Sequence, residues 1–450
     1  MSATTVSGVV GVLQTTVAGR VIAPGDVGYD RARTVAYGID RRPAAVVRAR
    51  NATDVARVVR LARERGLELA VRSGGHSPAG HGTTDGGIVL DLAGLKSLDI
   101  DARRRTAWAG AGLTAGEYTA ATAAHGLATG FGDTGSVGLG GITLSGGIGY
   151  LVRAHGLTID NLLAADVVTA DGELRHVDAS RHPELFWAIR GGGGNVGVAT
   201  HLRYRLSEVD LVTGGTLVLP ATPQTLVRYV AEALAASEQL TTVATVMPVG
   251  PHGPLVMRAV LVHSGEPAEG DRDAAPFRAL AAPIADTVGL TRYRDLLVPA
   301  GGGDHQTWAH RTMFLDAVDV DAAEAILAAL HDSDSPMPLV QLRVLGGAMA
   351  RVPADATAFA HRTAPILANV AALYEHLDEL PSRTAWVDGL TSVLRPRNGA
   401  AVGFLGAEGR SGVRRAYPGG TGERLAEIKG CYDPTNLFRH NQNVPPASRP

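Results

Sequence analysis

Up to about residue 205, short apolar runs alternate with glycine-rich turns; beyond it, apolar and polar positions alternate over longer spans. Residues 44–49 (AAVVRA) read as a strand. In NATDVARVVRLARERG, capping residues at 51–54 precede Val55, Val58, Val59 and Ala62 at helical spacing, and Gly66 supplies a stop. Strands are expected at 67–72 and 86–92, on either side of a glycine-rich loop. Thr114 and Glu117 form a capping box before an alanine-rich helix. Residues 165–178 read as a hairpin turning at Asp171-Gly172. From 206 to 400, strand-like stretches (TLVLP, LVMRAVLVH, PLVQLRVL) alternate with helix-like ones (TLVRYVAEALAAS, DAAEAILAALHD). That order suggests one sheet covered on one face by helices. A loop-rich style returns near the end, so the chain reads as a ligand-binding domain split around a second domain.

Composition narrows the field. The chain has 450 residues, 45% of them hydrophobic, and a net charge of −2, which gives no electrostatic reason to expect a nucleic acid or anionic membrane partner. Its one cysteine, Cys431, excludes an intrachain disulfide. The 15 histidines show no metal-like spacing, so no metal is expected. No basic segment opens the chain and no apolar stretch reaches membrane-spanning length, so the cytoplasm is the expected location. The oligomeric state stays open.

Three glycine-rich stretches carry candidate chemistry. The loop RSGGHS at 72–77 sets His76 directly after a double glycine, where successive amides can cradle an anion. On its own it also suits a surface turn with a solvated histidine. A second run, at 136–163, holds Gly138, Gly140, Gly141, Gly146, Gly147 and Gly149 within fourteen residues. PELFWAIRGGGGNVGVAT at 183–200 contains G-x-G-x-x-G at Gly192, Gly194 and Gly197. It follows an aromatic-rich segment and lacks a ribose-binding acid at the expected distance, so a nicotinamide site is rejected. Loops separated by a sheet suit a long, pyrophosphate-bridged ligand held by backbone amides.

Together with YDPTNLFRHNQNVPP at 432–446, and more loosely 345–362, these motifs resemble the berberine-bridge-enzyme-like flavoproteins. These belong to the vanillyl-alcohol-oxidase (p-cresol methylhydroxylase) type of FAD-linked oxidases. The resemblance implies an α+β fold with a two-part FAD-binding domain (1–205 and 401–450). The inserted substrate domain at 206–400 would be an antiparallel sheet covered by helices. It implies FAD bonded covalently to His76, a link that removes cofactor loss and raises the flavin potential. The implied cofactor contacts are Arg72, Ser73, Gly74, Gly75, His76, Ser77, His81, Val137, Gly138, Gly140, Gly141, Thr143, Ser145, Gly149, Tyr150, Asp160, Asn161, Val198, Asn441 and Gln442.

Departures from the family pattern refine the expectation. Thr134 replaces the cysteine that makes a second flavin bond in many relatives, so a cysteinyl link is excluded. Val137 takes the place of the oxygen gatekeeper, and its small side chain favours an oxidase. Ile148 and Phe404 stand where relatives place phenols. Their absence favours an amine oxidised as the free base, with Tyr150 and Gln341 left as candidate catalytic groups. Gln341 and Arg343 should share one strand face, and His310 and Arg311 lie on another strand; either pair could face the flavin. His361 and Arg362 look structural. The expected reaction is hydride removal from a C–H beside nitrogen or oxygen of a small, alkaloid-like or secondary-metabolite molecule, with O2 as acceptor and H2O2 as product. Two rival readings are a non-redox cyclase using flavin as a scaffold and a flavin-containing binding protein.

Overall fold

Asn51 and Gly66 bound their helix as the pattern requires. In the computed structural model, which describes residues 3–250, 253–299 and 307–448, the helix runs Ala52–Arg65. The Asn51 side chain accepts from the Asp54 amide at 3.0 Å, and Gly66 closes the helix with φ +61°. Val55, Val58, Val59 and Ala62 face inward. This helix links two strands of a four-stranded sheet ordered Arg20–Ile22, Ala45–Arg48, Ile88–Asp91, Leu69–Arg72. The last three strands run parallel, and the first is antiparallel to its neighbour.

A second, antiparallel sheet is ordered Leu98–Asp101, Thr106–Gly110, Val198–Arg205, Leu162–Val168, Leu174–Asp178. Its last two strands form the expected hairpin, with Gly172 at φ +77° and the Asp171 carboxylate accepting from the Glu173 amide at 3.0 Å. The two sheets share one core with the C-terminal segment, which contributes Leu425, Ile428, Leu437, Phe438 and Val444.

Residues 211–374 supply an eight-stranded antiparallel sheet. Its path runs Ala285–Asp286, Leu211–Pro220, Leu255–His263, Leu240–Pro248, Pro338–Val344, Ile366–Tyr374, Thr307–Leu315. Gly289–Arg292 also pairs with Leu211–Pro220. The first of the long strands starts five residues earlier than TLVLP suggests, because Thr213–Gly215 pair with Leu261–His263. Helices Pro223–Ala235, Pro267–Arg278, Val320–His331 and Leu380–Val393 pack on one face through Leu226, Tyr229, Phe277, Ile326, Leu330, Val387 and Leu390. Among the described residues, no helix is long and apolar enough to cross a membrane.

A buried cation ties the ends of the fold together. Lys429 is fully buried and donates to the carbonyls of Asn195 and Phe438, both at 2.8 Å, and to Asp433 at 2.9 Å. Three acceptors offset the cost of stripping an ammonium of water. The Asn195 side chain then holds Gly192 and Gln442, which pins the glycine-rich turn to the C-terminal segment.

Candidate active site

Where the first two sheets meet the C-terminal segment lies a cavity of about 310 Å³, with an adjoining one of about 130 Å³. Two glycine loops cross to build their shared wall. At Gly74 a Cβ would lie 2.3 Å from the Gly138 nitrogen, and at Gly138 one would lie 2.2 Å from the Gly74 nitrogen. Only hydrogen side chains permit that approach. The amides of Gly74, Gly75 and Ser77 donate to no acceptor among the described residues. Asn441 Oδ1 and the Tyr417 hydroxyl line the larger cavity and are buried without partners among the described residues. Unsatisfied polar groups of this kind point to an absent ligand, and free amides beside a glycine crossing fit a pyrophosphate. The donor set is therefore compatible with FAD.

Most of the expected contacts converge here. Ser73, Gly74, Gly75, His76, Ser77, His81, Val137, Gly138, Gly141, Ser145, Asn441 and Gln442 line the larger cavity; Gly140 and Val198 line the smaller. Arg72 also borders the larger, but its guanidinium turns to the Ala32 carbonyl at 2.6 Å and to Asp91 at 3.1 Å, a structural engagement.

Other expected contacts lie outside both linings. Thr143 shares a 2.7 Å hydrogen bond with the Tyr204 hydroxyl, and Gly149 packs on the Gly132 backbone. Asp160 pairs with Arg362 at 2.7 Å and accepts from the Leu157 amide at 2.8 Å. Asn161 donates to the carbonyls of His155 and Leu157 at 2.9 and 3.2 Å. These side chains hold the loop's shape. Tyr150 sits in an apolar cluster with Val212, Val243, Val260 and Tyr293.

The sheet pairs divide by face. Arg311 turns to Asp388 on the helical side, 2.9 Å away, whereas His310 lies beside the Phe404 carbonyl at 3.3 Å. Arg343 leaves the sheet to pair with Asp133 on the cavity wall, and it also donates to Gln341 Oε1 at 3.0 Å. Gln341 itself does not line the cavity; its amide donates to Thr245 at 3.4 Å.

Wall residues not anticipated as contacts include Tyr37, Asp133, Ile142, Asn195, Val402 and Tyr417. Gly193 and Gly194 also contribute, so the G-x-G-x-x-G stretch does belong to the ligand wall although it is no dinucleotide fingerprint.

Electrostatics separate the titrating groups. Burial, then His440 and Arg41, push the His81 pKa down to about 4, so its imidazole is neutral at physiological pH. Burial would raise the Asp133 pKa, but Arg343 outweighs it and holds the carboxyl below its ordinary range. Burial and then Asp133 push the Tyr150 phenol up to about 12, with Arg343 and Arg258 opposing. Burial also lowers the His310 pKa.

With the geometry in place, comparison with known proteins is informative. Residues 43–178 match the model of the FAD binding domain, and 411–445 match the model described as berberine and berberine like. The (R)-6-hydroxynicotine oxidase of Paenarthrobacter nicotinovorans is 32% identical over 453 aligned residues, covering 95% of this chain and 97% of that protein. An uncharacterized FAD-linked oxidoreductase of Bacillus subtilis is 30% identical, covering 97% and 99%. The crystal structure of 6-hydroxy-D-nicotine oxidase from Arthrobacter nicotinovorans superposes with a TM-score of 0.88 at 29% identity, covering 96% of this chain and 98% of the other. Physcomitrella patens BBE-like 1 shares the fold, with a TM-score of 0.87 at 22% identity and coverage of 98% and 100%.

Proposed function

The chain belongs to the berberine-bridge-enzyme-like FAD-linked oxidoreductases, and from that premise we propose an oxidase with FAD held covalently on His76. When bound, FAD supplies a two-electron acceptor for hydride from a C–H beside nitrogen or oxygen, and its reoxidation by O2 yields H2O2.

The observation that carries the reading is the crossing of the two loops at Gly74 and Gly138, with His76 and Val137 on one cavity wall. The free amides of Gly74, Gly75 and Ser77 would hold the pyrophosphate, and Asn441 and Tyr417 would supply side-chain contacts. Val137 leaves room for oxygen on the wall. Asp133 and Arg343 neutralise each other, so neither acts as a strong base. Tyr150, with its pKa at about 12, stays a phenol at neutral pH and serves as a hydrogen-bond donor or as packing.

With Ile148 and Phe404 apolar, both positions where relatives place a phenol base lack one, which disfavours an alcohol that needs strong deprotonation. An amine bound as the free base needs no such group, because its nitrogen lone pair assists hydride departure directly. The favoured substrate is therefore a small secondary or tertiary amine. Anaerobic mixing with a panel of amines and matched alcohols tests this. Amines should bleach the flavin, and the rate should rise with pH along each amine's own ionisation. Bleaching by alcohols alone would overturn the amine assignment. An unchanged spectrum with a ligand that is nonetheless converted would favour a non-redox reaction.

A further inference from the structure

One face of the eight-stranded sheet is closed by helices; across the other, the strand register lines up a polar row. Arg258 stands opposite Thr245, Thr245 opposite Gln341, Gln341 opposite Asn369, and Asn369 opposite Thr312. Residues paired in this way share a face. Two positions along the strands, the next line on that face contains Arg343, whose guanidinium meets Asp133 on the cavity wall. The line on the opposite side contains Leu339, Ala371 and His310. The polar row thus lies one step from the line that reaches the cavity wall, with the Leu339–Ala371–His310 line on its other side.

Its groups are only partly matched. Gln341 donates to Thr245 at 3.4 Å and Thr312 to the Phe404 carbonyl at 3.4 Å, but Asn369 Oδ1 is buried with no donor among the described residues. Arg258 ends the row, exposed, with no hydrogen bond or ion pair among the described residues. Its charge is felt at the Tyr150 hydroxyl together with those of Asp133 and Arg343, so all three lie within electrostatic reach of one phenol. Of the two guanidiniums, Arg343 alone engages the Asp133 carboxylate. That leaves Arg258 without a counter-ion among the described residues, within electrostatic reach of the Tyr150 phenol.

We propose that Arg258 is a specificity-determining residue that binds a carboxylate of the substrate, while the amine end of the same molecule lies along the Thr245–Gln341–Asn369 row toward the cavity. A guanidinium fork matches a carboxylate through two parallel hydrogen bonds. Among the described residues of this face, an ammonium group finds no unpaired carboxylate, which again favours the free amine at the oxidised end. The inference rests on the oxidase reading for what is oxidised; the recognition itself needs no turnover.

The test uses holoenzyme with benzoate and benzamide, isosteric probes that differ in charge. Affinity is measured by calorimetry, and proximity to the ring by perturbation of the flavin spectrum. Benzoate should bind at least about tenfold more tightly than benzamide and shift the flavin band. Arg258→Gln should reduce that preference to about twofold or less, and Arg258→Lys should keep most of it. Unchanged melting of the exposed-site variants establishes that they are folded. Equal affinities in the unmodified protein, an undiminished preference in Arg258→Gln, or benzoate binding without a spectral shift would each overturn the proposal. Failure of the oxidase reading shows separately, as flavin that no amine bleaches.

Discussion

Gly74→Ala and Gly141→Ala should both weaken flavin binding but differ in stability, although each adds one methyl group to the same cavity wall. At position 74 the new Cβ would lie 2.3 Å from the Gly138 nitrogen and 3.0 Å from the Ser136 carbonyl oxygen. The first contact is about 1 Å short of van der Waals separation. Both opposing atoms are backbone, so no rotamer change relieves the clash and the loops must part. Overpacking typically costs about 1–3 kcal/mol, and a clash with backbone belongs at the upper end, about 3 kcal/mol. At Gly141 a Cβ meets nothing within 4 Å, and the residue sits in the helix Leu139–Leu144 while lining both cavities. Helix propensity there favours alanine by up to about 1 kcal/mol, yet the methyl group occupies ligand space. Urea unfolding and FAD titration, both in a His76→Ala background where flavin exchange is reversible, separate the two effects. Gly74→Ala should lose about 3 kcal/mol of stability together with flavin. Gly141→Ala should keep its stability and bind FAD about tenfold more weakly, equivalent to about 1.4 kcal/mol. Equal stability of Gly74→Ala, or a Gly141→Ala protein that unfolds early while binding FAD normally, would refute the crossing-loop account.

Further outcomes follow from other contacts. Val137→Leu should slow air reoxidation of chemically reduced enzyme at least about tenfold while leaving anaerobic reduction nearly unchanged; equal reoxidation rates would remove its gating role. Tyr150→Phe should cost only a few fold in the reductive rate, whereas a loss of about a thousandfold, about 4 kcal/mol, would make Tyr150 the base. Asp133→Asn leaves Arg343, 8% exposed, without its anion and should destabilise the protein by about 2 kcal/mol, between surface and fully buried pairs; urea unfolding reads this directly. His81 gains its proton at pH about 6.5 when unfolded but only at about 4 when folded. The stability that this neutral imidazole confers on the flavin-free protein is thus complete above pH about 6.5 and falls by up to about 3 kcal/mol toward pH 4. His81→Asn should flatten that part of the acid-unfolding curve; an unchanged slope would contradict it.

Local signals carried far in this chain, and long-range ones did not. Asn51 and Gly66 mark a helix because capping is decided within a few residues, and Asp171-Gly172 marks a hairpin for the same reason. The loop containing His76 was legible from its double glycine. What could not be read were pairings made by folding. Arg343 lies 210 residues from Asp133, and Arg362 lies 202 from Asp160, so neither partner was visible from its neighbourhood. Thr143, Asp160 and Asn161 are expected as ligand contacts from the glycine-rich loop; the bonds of their side chains to Tyr204, to Arg362 and Leu157, and to His155 are not readable from that pattern. Lys429, one of two lysines in the chain, gives no hint that it clamps the Asn195 turn. The Arg258 row emerges only from sheet register, since its members come from five strands.

The most direct test of the whole account is peptide mapping after acid precipitation. The protein should remain yellow, carry one flavin per chain, and yield a single FAD-bearing peptide, the one containing His76. Flavin released completely into the acid supernatant, or attached to any other residue, would contradict the claim that this cavity holds FAD through His76.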